Sequence, residues 1–170
     1  MKHIALILIL IFTFYLSPFT SKAQDFTFDG VKMLQPVSQF KTDLEAKGYV
    51  ATASWYEGTE YWFSGVFLGR RPNYFNVRGY KDYVMEVNVA YSFASISEVD
   101  KFKQEAFELL KKTYPDFKAR QDEYSYMLEG STGTVSIYWG FKETFAGGDM
   151  MFPVEDVYVV SIFFQPKKKK

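Results

Sequence analysis

The chain of 170 residues has no cysteine and a single histidine, His3. Without cysteine there is no disulfide framework, no thiol chemistry and no lipobox for lipid attachment. His3 lies in a leader that the mature chain is expected to lose. Ser-His-Asp and Cys-His mechanisms are therefore excluded, as are the usual His or Cys ligand sets for zinc, haem and copper. Neither G-x-x-x-x-G-K-[ST] nor G-x-G-x-x-G occurs, which removes the common nucleotide-binding loops. The expectation is a protein that is not an enzyme and that carries no cofactor and no metal.

A basic surplus is missing as well. Formal charge is zero, but once Lys2, Lys22 and the lysine run 167–170 are set aside, 20 acids face 14 bases. An acidic body argues against nucleic acid as a partner. The lysine run reads as a solvated basic tail.

A long apolar run is present only at the start. Lys2 precedes a nearly unbroken apolar stretch from Ile4 to Leu16, and Ser21-Lys22-Ala23 supplies the small residues a signal peptidase reads. Residues 1–23 are thus read as a signal peptide cleaved before Gln24. The run falls short of the roughly 20 residues a spanning helix needs, so no membrane span is expected after cleavage, and the product is expected to be periplasmic or secreted.

What the body has in abundance is aromatic side chains, 20% of the sequence, including 18 Phe and 13 Tyr. These supply a large apolar payload to a fold that must be held by packing alone. Residues 24–166 read as a single α+β domain, an antiparallel sheet covered by two helices. The better-marked helix is 95–115. Ser95 with Glu98 fits a capping box, Val99, Phe102, Ala106, Leu109 and Leu110 recur on one face with Phe107 at its margin, Lys111 and Lys112 suit the last turn, and Pro115 stops the run. A shorter helix follows Pro36, with Val37, Phe40 and Leu44 as its stripe and Gly48 as its stop.

Strands are expected around the helices. Asp29-Gly30 is a turn-like pair between Phe26, Phe28 and Val31, Met33. Residues 55–62, WYEGTEYW, mirror one another about Gly58-Thr59, which predicts a hairpin with a two-residue turn and Trp55 facing Trp62, Tyr56 facing Tyr61 and Glu57 facing Glu60. Further strands are predicted at 73–77, 83–93, 117–129, 134–142 and 157–165. Half one, 24–94, and half two, 95–166, then share an α-β-β-β outline. Short strings match between them, Val37-Ser38-Gln39-Phe40-Lys41 with Val99-Asp100-Lys101-Phe102-Lys103. Such strings also arise by chance, so duplication and coincidence both stand.

The opening pattern Phe26-x-Phe28-x-Gly30-Val31, followed by Phe40, Leu44 and Lys47-Gly48-Tyr49, resembles the start of small secreted bacterial proteins of unknown function. The helix-then-strands order of each half is similar to the duplicated architecture of β-lactamase inhibitor protein, in which helices cover an antiparallel sheet. This second resemblance is one of architecture and carries no site residues.

Two stretches are candidate contact surfaces. One is the aromatic hairpin, where Trp55, Tyr56, Tyr61 and Trp62 place rings on both faces of one ribbon. The other is the stretch 142–155, where Met150, Met151 and Phe152 follow Gly147-Gly148; adaptable methionines suit binding surfaces. The expected function is non-catalytic binding of an envelope or extracellular protein or peptide through Met150 to Phe152. The alternatives are a carbohydrate-binding module using the hairpin and, more remotely, a glycosidase using Glu57 and Glu60. Asp149, Glu155 and Asp156 match no EF-hand spacing.

Overall fold

Alternation sets the sheet. In the segment Tyr83–Phe93, Val87, Val89, Tyr91 and Phe93 are buried on one side, while Glu86, Asn88 and Ser92 project from the other. A strand whose apolar residues recur at a period of two must bury one face, and this one does. A computed structural model describes residues 25–141 and 157–167. The N-terminal stretch read as a signal peptide, the stretch carrying Met150, Met151 and Phe152, and the last three lysines lie outside the described residues.

The fold is α+β. A short hairpin of β1 (Thr27–Phe28) and β2 (Val31–Lys32) leads into helix α1 (Val37–Ala46), then β3 (Val50–Trp55), β4 (Glu60–Ser64), β5 (Tyr74–Tyr80) and β6 (Tyr83–Phe93). Helix α2 (Ile96–Thr113) follows, then β7 (Lys118–Gln121), β8 (Ser125–Glu129), β9 (Gly133–Phe141) and β10 (Tyr158–Pro166). Strands β3 to β10 form one eight-stranded antiparallel sheet in the order β3-β4-β5-β6-β10-β9-β8-β7. The closing strand of each half meets the other at the centre, with Val89 opposite Ile162 and Tyr91 opposite Val160. After the β1–β2 hairpin each half is one helix followed by four strands, not the three of the α-β-β-β outline, and the strand order of the sheet is the same read inward from either edge.

Both helices lie on one face of the sheet. Helix α1 buries Val37, Phe40 and Leu44, and α2 buries Val99, Phe102, Ala106, Phe107 and Leu110, all in one core with the inward residues of the strands. Leu109, expected on the buried stripe, is 47% exposed; Phe107 takes the inward position against Tyr126, 4.7 Å between ring centroids. The larger ring fills the gap at the margin and rotates the buried arc away from Leu109. The Ser95 side chain accepts from the Glu98 backbone N–H at 3.3 Å, closing the first turn of α2. Replacing Ser95 with alanine is expected to cost about 1 kcal/mol, read as a lower urea midpoint with an unchanged slope.

The hairpin β1–β2 turns at Asp29-Gly30, both at positive φ, and sits on the same face as the helices. Phe28 is fully buried against Phe67, Phe75 and Phe164, with centroid distances of 4.7, 5.3 and 5.0 Å, and Phe26 meets Tyr114, Phe117 and Phe164. One ring thus binds the first half, the other the second, and both rest on β10. Glycine is required at Gly79, where β5 bulges beneath the start of α1: a Cβ there would lie 2.3 Å from Val37 Cγ2.

One predicted strand and one predicted turn are corrected. The stretch 117–129 is a hairpin of its own, because Asp122 caps a tight turn: its Oδ1 accepts from the backbone N–H of Tyr124 and Ser125, and its Oδ2 from Ser125 Oγ. These bonds hold the Asp122 carboxyl below the usual range. At the other hairpin, Trp55 pairs with Glu60, Ser54 with Tyr61 and Ala53 with Trp62. The connection is four residues, not two: Tyr56 takes positive φ and its carbonyl accepts from Thr59 N at 3.1 Å, so the chain reverses one step earlier than mirror symmetry implies. The first lysine of the tail is also anchored, its Nζ donating to Glu129 Oε1 at 2.7 Å and its N–H to the Thr132 carbonyl.

Candidate functional site

The helices and the β1–β2 hairpin all lie on one side, so the other face of the sheet is where the described residues offer a broad surface. Register places its side chains in rows across the strands. One row runs Trp62, Asn76, Asn88, Phe163, Ser136 from β4 to β9. A second carries Tyr74, Ala90, Ser161 and Tyr138. A third is charged, with Glu60 opposite Arg78 and Arg78 opposite Glu86.

This face is more crowded than a solvated one. Asn76, Ser136 and Ser161 are buried although they point away from the core, and the larger Trp62, Tyr74, Tyr138 and Phe163 beside them are half-buried. Trp62 and Tyr74 meet edge to face at 4.7 Å and 73°, Tyr138 and Phe163 at 5.8 Å and 74°. Such edge-on geometry aligns the positive ring edge with the negative ring face and holds both rings in place. Burial raises the Tyr74 phenol, partly offset by the Arg78 guanidinium near it.

The charged row is linked through hydrogen bonds. Asn76 Nδ2 donates to Glu60 Oε1 at 2.5 Å, and Gln165 Nε2 to Glu86 Oε2 at 2.8 Å. Arg78 stands between the two acids, with Nε 3.8 Å from Glu60 and a terminal nitrogen 3.6 Å from Glu86. Among the described residues, no group of three or more Asp, Glu, His or Cys could hold a metal ion, and no helix is long and apolar enough to cross a membrane.

The four aromatic residues of the hairpin part company. Trp62 lies on the open face, half-buried against Tyr74, whereas Tyr61 lies on the helix face and packs against the core beside Phe63. Trp55 and Tyr56 stand at the tip, 59% and 77% exposed. Glu60 is committed to Asn76 and Arg78, and of Glu57 only the backbone is described, in the turn. Sequence reasoning missed Asn76, Asn88, Arg78 and Glu86 as neighbours. The available signal was two asparagines at outward positions of long strands, where that residue is uncommon.

No family model, no curated protein and no solved structure matches this chain.

Proposed function

We propose that the chain is an exported, non-catalytic binding protein that takes a protein or peptide partner on the open face of its sheet, next to the Trp55–Tyr56 tip. The observation that carries this reading is the composition of that face: half-buried aromatic rings held edge to face, interleaved with Asn, Ser, Glu and Arg, and rimmed by exposed Trp55 and Tyr56. Aromatic residues and Arg are enriched in protein interfaces. Eight strands at about 4.8 Å spacing give a width of about 34 Å, ample for the roughly 800 Å² a partner covers in an interface of standard size.

Sugar recognition draws on ring faces open for stacking. Here the Trp62 ring meets Tyr74 edge to face, and Trp55 pairs with Glu60 instead of standing beside Trp62, so the hairpin offers no flat two-ring platform. Glu60, bound to Asn76 and close to Arg78, is likewise placed for structure more than for glycoside cleavage.

The test is capture from envelope extracts by the full chain and by Trp55→Ala, an exposed position whose loss leaves the fold intact. Partners held by the wild type are expected to be depleted at least tenfold by Trp55→Ala; identical partner lists refute the reading. Met151→Asp, tested alongside, reports whether the stretch 142–155 contributes.

A further inference from the structure

Asn76 and Asn88 are direct cross-strand partners at the middle of the open face. Asn76 is fully buried, and its Nδ2 is fixed on Glu60. Among the described residues its Oδ1 accepts no hydrogen bond, and neither does the buried Oδ1 of Asn88. A buried acceptor left without a donor costs about 1–3 kcal/mol. Two on adjacent strands mark a place where a donor is wanted.

The surroundings define which donor. Glu60 and Glu86 expose only 14% and 18% of their side chains and share one guanidinium, at 3.8 and 3.6 Å, too far for a paired fork. Two acids against one base leave an excess negative charge in half-buried ground. Trp62 stands next to Asn76 in the row, Phe163 next to Asn88, and Tyr74 against Trp62. Amide oxygens, surplus carboxylate and aromatic rings together match a cation.

We propose that this patch binds a primary ammonium group, presented by a lysine side chain of the protein partner. An ammonium carries three N–H donors, enough for both amide oxygens and one carboxylate, and its charge balances the excess acid. Water offers two donors and no charge. The flanking rings take the alkyl stem. Because both oxygens are buried, a neighbouring ring must move aside for the ammonium to enter. The inference rests on the binding reading above and specifies the chemistry of that face.

The test titrates the full chain with Nα-acetyl-lysine methylamide and follows the side-chain NH₂ signals of Asn76 and Asn88 by ¹H–¹⁵N NMR. The uncharged control is the same molecule acetylated on Nε, and glucosamine and glucose serve as sugar arms. A saturable shift of both signals is expected with the lysine derivative and none with its acetylated form. Glu86→Gln, which preserves side-chain shape, is expected to weaken binding about tenfold, and Asn88→Leu to abolish it. A stronger response to glucosamine, an equal response to the acetylated control, or no saturable response, as a buried water alone would give, overturns the proposal. Should Trp55→Ala lose its partners while no ammonium response appears, this inference fails and the binding reading stands. With a lysine response and identical partner lists, the ammonium site stands and the binding reading fails.

Discussion

Phe28→Ala is expected to destabilise the fold by about 3–5 kcal/mol, with a fall in Tm of about 10 °C or more. Phe28 is fully buried and touches rings from four parts of the chain: Tyr49 after α1, Phe67 in the β4–β5 connection, Phe75 on β5 and Phe164 on β10. Truncation removes the transfer free energy of the ring and leaves a cavity that this tightly packed group cannot close. The hairpin bearing Phe28 has only two residues in each strand and no place in the main sheet, so side-chain packing holds it. Phe28→Leu, which keeps more of the volume, should lose less than half as much. Equal losses from the two variants, or a Phe28→Ala protein as stable as the parent in urea, would show that the hairpin is not part of the cooperative core.

Raising the pH should unfold the protein cooperatively above about pH 10, where phenols of an unfolded chain ionise. Burial pushes the Tyr91, Tyr49 and Tyr114 phenols well up, with the Asp29 carboxylate adding to the effect at Tyr49. Each phenol donates a hydrogen bond: Tyr91 to the Phe67 carbonyl at 2.8 Å, Tyr49 to Asp29 Oδ2 at 3.0 Å, Tyr114 to the Thr27 carbonyl. A phenolate has no proton to donate and would face an acceptor instead. The folded pKa lies above the unfolded one, so the stabilisation is complete below about pH 10 and drains away as pH rises toward the folded values. Phenolate absorbance at 295 nm and far-ultraviolet circular dichroism should therefore change together, and Tyr91→Phe should move the midpoint upward. Full ionisation of the tyrosines with the dichroism unchanged would contradict this. Two of the three bonds end on the β1–β2 segment, so loss of that hairpin's anchors belongs to the same transition.

The parts of the fold that could be read in advance are those where one local pattern decides the outcome. β6 matches its predicted bounds because inward residues alternate from Val87 to Phe93, and α2 lies within its predicted stretch because cap, stripe and terminal charges agree. Where two local rules competed, the reading failed. The mirror symmetry of residues 55–62 suggested a two-residue turn, but Tyr56 at positive φ lengthened it and shifted every pair. The turn at Asp122 has no Gly or Pro and is made by side-chain bonds to the backbone, a weak signal in a run of strand-like residues. The candidate site was the least legible part. Glu60, Asn76, Glu86, Asn88 and Gln165 belong to four strands, and only the register across β4, β5, β6 and β10 makes them neighbours. Of the four hairpin rings, alternation alone separated Tyr61 from Trp62, one toward the core and the other toward the open face.

The position of the N-terminal hairpin also governs the order in which the fold can be completed. Phe26 and Phe28 rest on Phe164 of β10, so the seat of the earliest aromatic residues of the described chain is completed only when its latest strand is in place. Each four-stranded half is built from neighbours in sequence, whereas the β6–β10 seam and the hairpin above it join distant ones; contacts of that kind form slowly. A chain emerging from its start can cover Phe28 only in part, against Tyr49, Phe67 and Phe75, until β10 arrives. A fragment ending before Tyr158 would retain both helices and seven strands of the main sheet yet have no closed core, which makes it a natural substrate for chaperones and proteases.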